Sequence, residues 1–471
     1  MFSSKTYLYI LLFVPILVHI YSWVGVFDIE VIFYYFISLI LCFFSFKLLI
    51  KKKYYLRTPL FFVLFIIISY FHRIILVDKY IDEWTLTGGY QRIGNFIFQN
   101  SSIIEYFQII ISGLLGVLLA NYFIIRLKLP RSNRGVLSNV RLKRYYKVYI
   151  FSYLIIIIIA SFFKIGVSGY SPIALPFKLA GLILFLKNFI IPMFGWYLFY
   201  FICESNKQKK IVYFLLLQIL IGVIGTYLTL SKAMLIYAIL PYVIYLIFSK
   251  KYLLFKRKQI RAFIIATSFL VMATFYGALY LRFVDSGITN NISVYAFFDS
   301  YFRNSDENVF MLLFETLIYD ISTRITGGSE LMAVMFTNIQ NPLNSVLMIL
   351  NGNAGDVNSG MPELIERIFD ITLIFDGEVF SGKSIGFWGI LFLMKSKLFI
   401  FFGTFVYVSI IAFIEKLYYR NINPSISILL SFWLCYNVWE SGFDLFVFLI
   451  PISIFLFFYH KFFLKSKYVL Q

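Results

Sequence analysis

The chain has 471 residues, 61% hydrophobic and 21% aromatic, with a mean hydropathy of +0.84 and a formal net charge of +19. A water-soluble domain has no way to hide so much apolar surface, so the lipid bilayer must solvate most of it. The basic excess does not read as nucleic-acid binding, because the cations are spread over connectors and both termini and are not interleaved with aromatics on one compact face.

Stretches of about 20 apolar residues, the length that crosses a hydrocarbon core of ~30 Å, recur along the chain. They predict an all-α, polytopic membrane protein of about twelve transmembrane helices, at 7–27, 29–50, 59–77, 103–125, 148–166, 181–202, 211–230, 233–249, 262–283, 398–415, 424–438 and 445–460. The first stretch is too long for a signal-peptide core and no small-residue cleavage site follows it, so it is expected to stay as the first span. Asp28 and Glu30 in the turn after it are two carboxylates able to hold a metal or act as a base, although such pairs mostly cap helices. The run KKKYYLR follows at 51–57.

His72 and Arg73 close the third span, where a histidine beside an arginine could relay a proton or simply cap the helix. A polar excursion with a Gly88-Gly89 turn spans Asp78 to Ser102, and a second basic connector covers 126–147. Lys187 lies inside the sixth span, close enough to its outer end to snorkel to the surface. Lys232 stands in the tight turn TLSKAM between the seventh and eighth spans, within reach of a phosphate. A third basic connector, KKYLLFKRKQIR, fills 250–261.

Most of the 42 Lys and Arg fall on the side of these basic connectors, whereas only Glu204 and Glu415 of the 23 acids do. The positive-inside rule then puts both termini in the cytoplasm and the other connectors outside. Cys42, Cys203 and Cys435 show no paired spacing and are assigned to packing, with no metal site and no cofactor expected.

This topology divides the chain into a bundle of about nine helices at 1–283, an outer loop at 284–384, and an interfacial segment with the last helices at 385–471. The loop reads as helical more than irregular, with candidate helices at 308–322, 330–339 and 362–369 and a turn-rich break at 351–360. The apolar but short stretch SIGFWGILFLMKSK, 384–397, ends in two lysines and is expected to dip into the membrane interface before the tenth span.

An enzyme that works outside the cytoplasm has no ATP, so the energy for a synthesis must arrive within its substrate, as in a polyprenyl diphosphate sugar. Cleaving that bond calls for cations on the departing diphosphate, a task that suits the planar, permanently charged guanidinium. The loop and its entry supply Arg282, Arg303, Arg324 and Arg367. Arg324 precedes Gly327, Gly328 and a plausible N-cap, Ser329, an arrangement that lets backbone N–H groups approach an anion. Pairing of Arg324 with Asp320 or Glu330 is the plainer alternative. Arg282, followed by Asp285, would equally snorkel to headgroup phosphates. Arg73 and Lys232 complete the candidate substrate-binding cations. Asp285, Asp320, Glu330 and His72 are the candidate bases for the attacking hydroxyl.

In its many spans, its large outer loop before the last few, the turn GTYLTLSKAM and the loop segment YDISTRITGGSELMAV, the chain resembles the O-antigen polymerase family. The resemblance implies a GT-C-like membrane glycosyltransferase, independent of metal, that moves a growing glycan from its polyprenyl diphosphate carrier onto an incoming lipid-linked repeat unit. The product would be a surface polysaccharide such as lipopolysaccharide O-antigen or capsule. It further implies an undecaprenyl-type donor and acceptor, loop arginines on the diphosphate, and a chain-length regulator protein as a possible partner. Two features depart from the family pattern: Ser231-Lys232 stands where relatives tend to have Ser-Arg, and no outer arginine has glycine at the eleventh position after it. The alternatives are a lipid-linked oligosaccharide flippase, which would want short connectors and charges along a central cavity, and another polyprenyl-dependent glycosyltransferase using Asp28 and Glu30.

Overall fold

Long runs of Leu, Ile and Phe make helices wherever lipid leaves backbone groups no other partner, and the computed structural model of the chain is almost entirely helical. It describes residues 4–50, 57–75, 99–127, 139–167, 173, 175–176, 179–205, 207–230, 233–249, 251–285, 331–332, 334–335, 337, 341–345, 374–375, 378–379, 387–421 and 424–441. The helices fall into two units, one built from 1–133, 321–422 and 431–471, the other from 134–320 and 423–430.

The first unit contains α1 (Ser4–Trp23), α2 (Ile29–Leu49), α3 (Thr58–Ile66, continued by a π-helical stretch Ile67–His72) and α4 (Asn100–Arg126). The second contains α5 (Asn139–Phe162), then α6 (Leu179–Phe185) joined through the π-helical stretch Leu186–Ile190 to α7 (Ile191–Glu204). It continues with α8 (Gln208–Thr229), α9 (Ala233–Phe248) and α10 (Arg257–Asp285). The chain then returns to the first unit with α11 (Phe387–Phe392) and α12 (Lys397–Asn421). The division between units falls within α13 (Pro424–Ser441). Among the described residues the only sheet is a two-stranded antiparallel pair, β1 (Ile374–Phe375) and β2 (Glu378–Val379).

Eight of these helical stretches are long and apolar enough to cross a membrane: Ile29–Leu49, Thr58–Ile75, Asn100–Arg126, Tyr145–Phe162, Leu179–Cys203, Gln208–Thr229, Arg257–Ala278 and Lys397–Tyr418. Each coincides with an expected span. Three more expected spans are also helices, but α1 and α9 carry shorter apolar stretches, Leu12–Trp23 and Ala238–Ile247, and α13 is not among the eight. The span expected at 445–460 lies outside the described residues.

Helix directions in the first unit follow from which residues meet. Gln108 of α4 bonds Lys397 at the start of α12, Gly116 meets Phe401 and Phe405, and Ile124 meets Lys416, so α4 and α12 run parallel. A Cβ added at Gly116 would come within 2.6 Å of the Phe401 carbonyl oxygen, and that missing side chain lets the two backbones approach. Asp28 bonds Asn100 while Tyr35 stacks on Phe107 at 4.5 Å, so α2 runs the same way. By contrast α3 and α13 run opposite to these and parallel to each other: Thr58 bonds Ser431 at 2.7 Å, and Ser69 bonds Trp439 at 2.7 Å. Parallel α4 and α12 start from one face of the unit, so the chain leading into each arrives at that same face.

In the second unit, Tyr149 of α5 donates to Gln218 of α8 at 2.8 Å and Ser161 donates to the Leu228 carbonyl at 2.6 Å, making α5 and α8 parallel. Gln208 and Gln259 join the starts of α8 and α10 at 2.7 Å. Gly222 and Gly225 face Ala238 and Met234, which closes the α8–α9 hairpin.

The stretch expected to dip into the interface does not stay there. Phe387 to Leu393 are all buried inside the first unit, with Trp388 filling the space left by Gly113, halfway along α4, and donating to Thr404 at 2.9 Å. Its indole needs a hydrogen-bond acceptor when buried, and Thr404 supplies one. Around it Tyr70 lies 4.4 Å and Trp439 5.7 Å away, ring centroid to centroid.

Candidate functional site

One end of the first unit carries Asp28, His72, Arg73, Asn100, Gln108 and Lys397. Its geometry begins with α3, where the π-helical turn Ile67–His72 widens the backbone just before Arg73. Such turns concentrate at functional sites. Tyr70, one turn earlier, packs on Trp388 and its carbonyl accepts a hydrogen bond from Tyr106 at 3.0 Å. Arg73 follows on this side of the helix and is 1% exposed. A buried guanidinium is costly enough that it marks a polar environment or a site.

His72 spends its Nε2–H on the Leu12 carbonyl of α1 at 3.0 Å, which fixes the ring. The bond ties the end of the π-helical stretch of α3 to the middle of α1. Asp28 accepts a bond from Asn100 and is exposed, as is Glu30. Asp28 thus joins the starts of α2 and α4.

After the buried α11 the chain turns sharply. Lys395 sits at φ 49° in the left-handed region, which costs an ordinary side chain about 1–2 kcal/mol. Its ammonium, 5.6 Å from the centroid of the Phe392 ring, donates to the carbonyls of Val334 at 2.5 Å and Met335 at 2.9 Å. Burial pulls the Lys395 pKa below the usual lysine value, and the nearby Glu105 carboxylate works against that shift. Two residues on, Lys397 donates to Gln108. The loop residues that Lys395 holds are embedded too, since Leu331, Met332 and Val334 are wholly buried and Thr337 nearly so.

Sequence reasoning named Lys395 and Lys397 only as the polar end of an apolar stretch. The available signal was two lysines at the mouth of a span on the acid-rich side, where headgroup-facing cations are otherwise scarce. Arg282 and Asp285 occupy the last turn of α10. Lys232, Arg303, Asp320, Arg324, Glu330 and Arg367 lie outside the described residues. In sequence, Arg324 and Glu330 precede Leu331 by seven residues and one, and Lys395 bonds the carbonyl of Val334.

The opposite end of the same unit holds a second group that sequence did not single out. Glu415 is wholly buried; its carboxylate accepts the backbone N–H of Arg57 at 2.6 Å, the N–H of Thr58 at 2.8 Å and the Thr58 hydroxyl at 2.8 Å. Its neighbour Lys416 donates to the carbonyls of Ile124 and, at 3.2 Å, Ile125. An anion therefore sits at the N-terminus of α3 and a cation at the C-terminus of α4, each opposite the partial charge of the helix end it meets.

In the second unit Lys187 does not reach the surface as expected: it is 3% exposed and donates to the Ile165 carbonyl at 3.3 Å. The π-helical turn around it and the left-handed Gly166, where a Cβ would lie 2.9 Å from its Nζ, fold the end of α5 over the ammonium. Among the described residues no group of three or more His, Cys, Asp or Glu is placed to hold a metal, and Cys42, Cys203 and Cys435 are free and buried.

These observations define a multi-pass, almost wholly α-helical membrane protein whose apolar helices belong in a lipid bilayer. No protein-family model, curated protein or solved structure matches the chain.

Proposed function

We propose that the protein is a membrane glycosyltransferase that polymerises polyprenyl-diphosphate-linked oligosaccharide repeat units into surface polysaccharide. In this reading it has about twelve spans in the GT-C-like manner, lies in a bacterial inner membrane with both termini cytoplasmic, and works with its 284–384 loop in the periplasm. The observation that carries the proposal is the burial of Leu331, Met332 and Val334 in the first unit, with the Val334 and Met335 carbonyls bonded by Lys395, two residues before Lys397. A lipid diphosphate substrate requires cations at a membrane face, and Arg73 and Lys397 stand at that end of the unit.

The chemistry is a displacement at the anomeric carbon of the growing glycan. A hydroxyl on the non-reducing end of the incoming lipid-linked unit attacks; the bond from the anomeric carbon to the diphosphate oxygen breaks; the polyprenyl diphosphate leaves with the electron pair. The hydroxyl proton passes to a carboxylate or histidine, with Asp285, Asp320, Glu330 and His72 the candidates. Arg324, Arg282, Arg303, Arg367, Arg73 and Lys232 are the cations available to the leaving diphosphate, where paired N–H donors stabilise the charge that grows as the bond breaks.

A strain lacking the protein tests the reading directly. Polymerisation predicts that single repeat units still reach the surface while long chains vanish. Absence of all units from the surface would identify a flippase or an earlier step instead. In the complemented strain, Arg324→Ala and Arg282→Ala, compared at equal protein level, should each shorten or abolish the polymer; unchanged polymer in both discards these sites.

A further inference from the structure

Lys187 is enclosed but poorly held. It is 3% exposed and donates one hydrogen bond, 3.3 Å long, to the Ile165 carbonyl, which leaves the remaining donors of the ammonium without an acceptor among the described residues. An ionisable side chain enclosed within a membrane helix is costly and points to a function. The backbone around it is irregular in a way that keeps Nζ within reach. The π-helical stretch Leu186–Ile190 interrupts the regular turns that carry it, and such stretches concentrate at functional sites. The end of α5 curls through two left-handed residues, Lys164 at φ 55° and Gly166 at φ 63°. A Cβ on Gly166 would stand 2.9 Å from Nζ and 3.1 Å from Leu184 Cδ1, and Gly166 and Leu184 are both exposed. The ammonium thus lies directly behind an exposed residue that has no side chain. Lys164, also exposed, adds a second cation to this end of α5.

We infer that Lys187 is the cationic centre of a binding site for the phosphate group of an anionic membrane lipid, walled by Ile165, Gly166 and Leu184. A phosphate accepts several N–H donors at once and brings the negative charge that the enclosed ammonium lacks. The apolar span of α5 ends at Phe162, three residues before the carbonyl that Lys187 reaches. The ammonium therefore stands where α5 leaves the hydrocarbon, at the level of the headgroups. A lipid suits this place better than a free ion. No residue of α6, the helix that leads to Lys187, is buried, and Leu179, Leu182 and Leu184 are exposed for acyl chains to pack on. The site is independent of the proposed glycosyl transfer.

The test uses purified full-length protein, stripped of lipid in detergent, and counts bound dioleoyl phosphatidate by native mass spectrometry. Lys187→Met keeps an unbranched apolar stem and removes the ammonium. The parent should hold one phosphatidate that Lys187→Met binds about tenfold more weakly, as expected for the loss of a charged hydrogen-bond partner. Dioleoylglycerol, with the same chains and no phosphate, should bind both proteins alike. Lys164→Met, which removes the exposed cation at the same end of α5, should weaken phosphatidate binding less than Lys187→Met does. Equal phosphatidate binding by the parent and Lys187→Met overturns the site. So does a loss of the same size for dioleoylglycerol, since chain packing would then explain it. An effect of Lys164→Met as large as that of Lys187→Met assigns the lipid to surface charge and overturns the enclosed site. Inorganic phosphate that displaces phosphatidate at equal concentration overturns the lipid as occupant. A Lys187→Met protein that unfolds well below the parent overturns the premise, because the fold itself would then need the ammonium as a cap on α5.

Discussion

The two units treat a buried charge in different ways. In the first, Glu415 collects two backbone N–H groups and a hydroxyl, Lys416 collects two carbonyls, and Lys395 collects two more. Every one of these charges sits at a helix end and joins segments far apart in the chain. In the second unit Lys187 has one long hydrogen bond among the described residues, and most of the buried polarity is uncharged, in Tyr149, Gln218 and Tyr242. Burying a charge stabilises a fold only when its own bonds replace those it had with water. Glu415, Lys416 and Lys395 meet that condition, and the second unit's Lys187 does not.

Breaking the best-satisfied group should have the largest effect. Glu415→Ala leaves the N-terminus of α3 and the Thr58 hydroxyl without their acceptor, and a loss of about 3–5 kcal/mol is expected, read as a large fall in the thermal unfolding midpoint in detergent. A loss below about 1 kcal/mol would remove the contrast between the units.

Packing gives the next largest effect. A side chain at Gly113 would occupy the space of the Trp388 indole, so Gly113→Val should cost about 1–3 kcal/mol and disturb the Trp388 fluorescence. In the second unit, Gly195 makes equivalent room for the hydroxyls of Tyr149 and Tyr242, which a Cβ would approach at 2.6 and 2.7 Å. Retention of the Trp388 signal in Gly113→Val would mean that α11 sits less firmly than its burial implies.

The smallest and most discriminating effect has the opposite sign. Because one 3.3 Å bond does not replace the hydration of an ammonium, Lys187→Met should leave stability unchanged or raise it by about 1 kcal/mol. Lys416→Met, at a comparably enclosed site with two carbonyl partners, should lower it. If both lysines behave alike, bond number is not what separates the units.

Much of the helical framework was legible from hydropathy. The eight membrane-length helices fall where apolar runs of about 20 residues predicted them, and the parallel course of α4 and α12 agrees with the alternation of basic connectors. The expectation for 384–397 failed in an instructive way: a run of apolar residues too short to span reads equally as interfacial or buried, and only Gly113 of α4, which opens a slot for Trp388, selects burial. Lys187 departs from its expected place for a related reason. Its position near a helix end suggested reach to the surface, but the end of α5 folds over it.

Composition and charge order along the chain decided the solvent, the helices and their alternation, because hydrophobic transfer and backbone hydrogen bonding act on each segment by itself. Which charges meet which helix ends was decided only by tertiary structure. Arg57 and Glu415 are separated by 358 positions, and no local pattern announces that one will seal the other. The same holds for Lys395 and the carbonyls of Val334 and Met335: electrostatic pairing is a property of two places at once, and folding brings those places together.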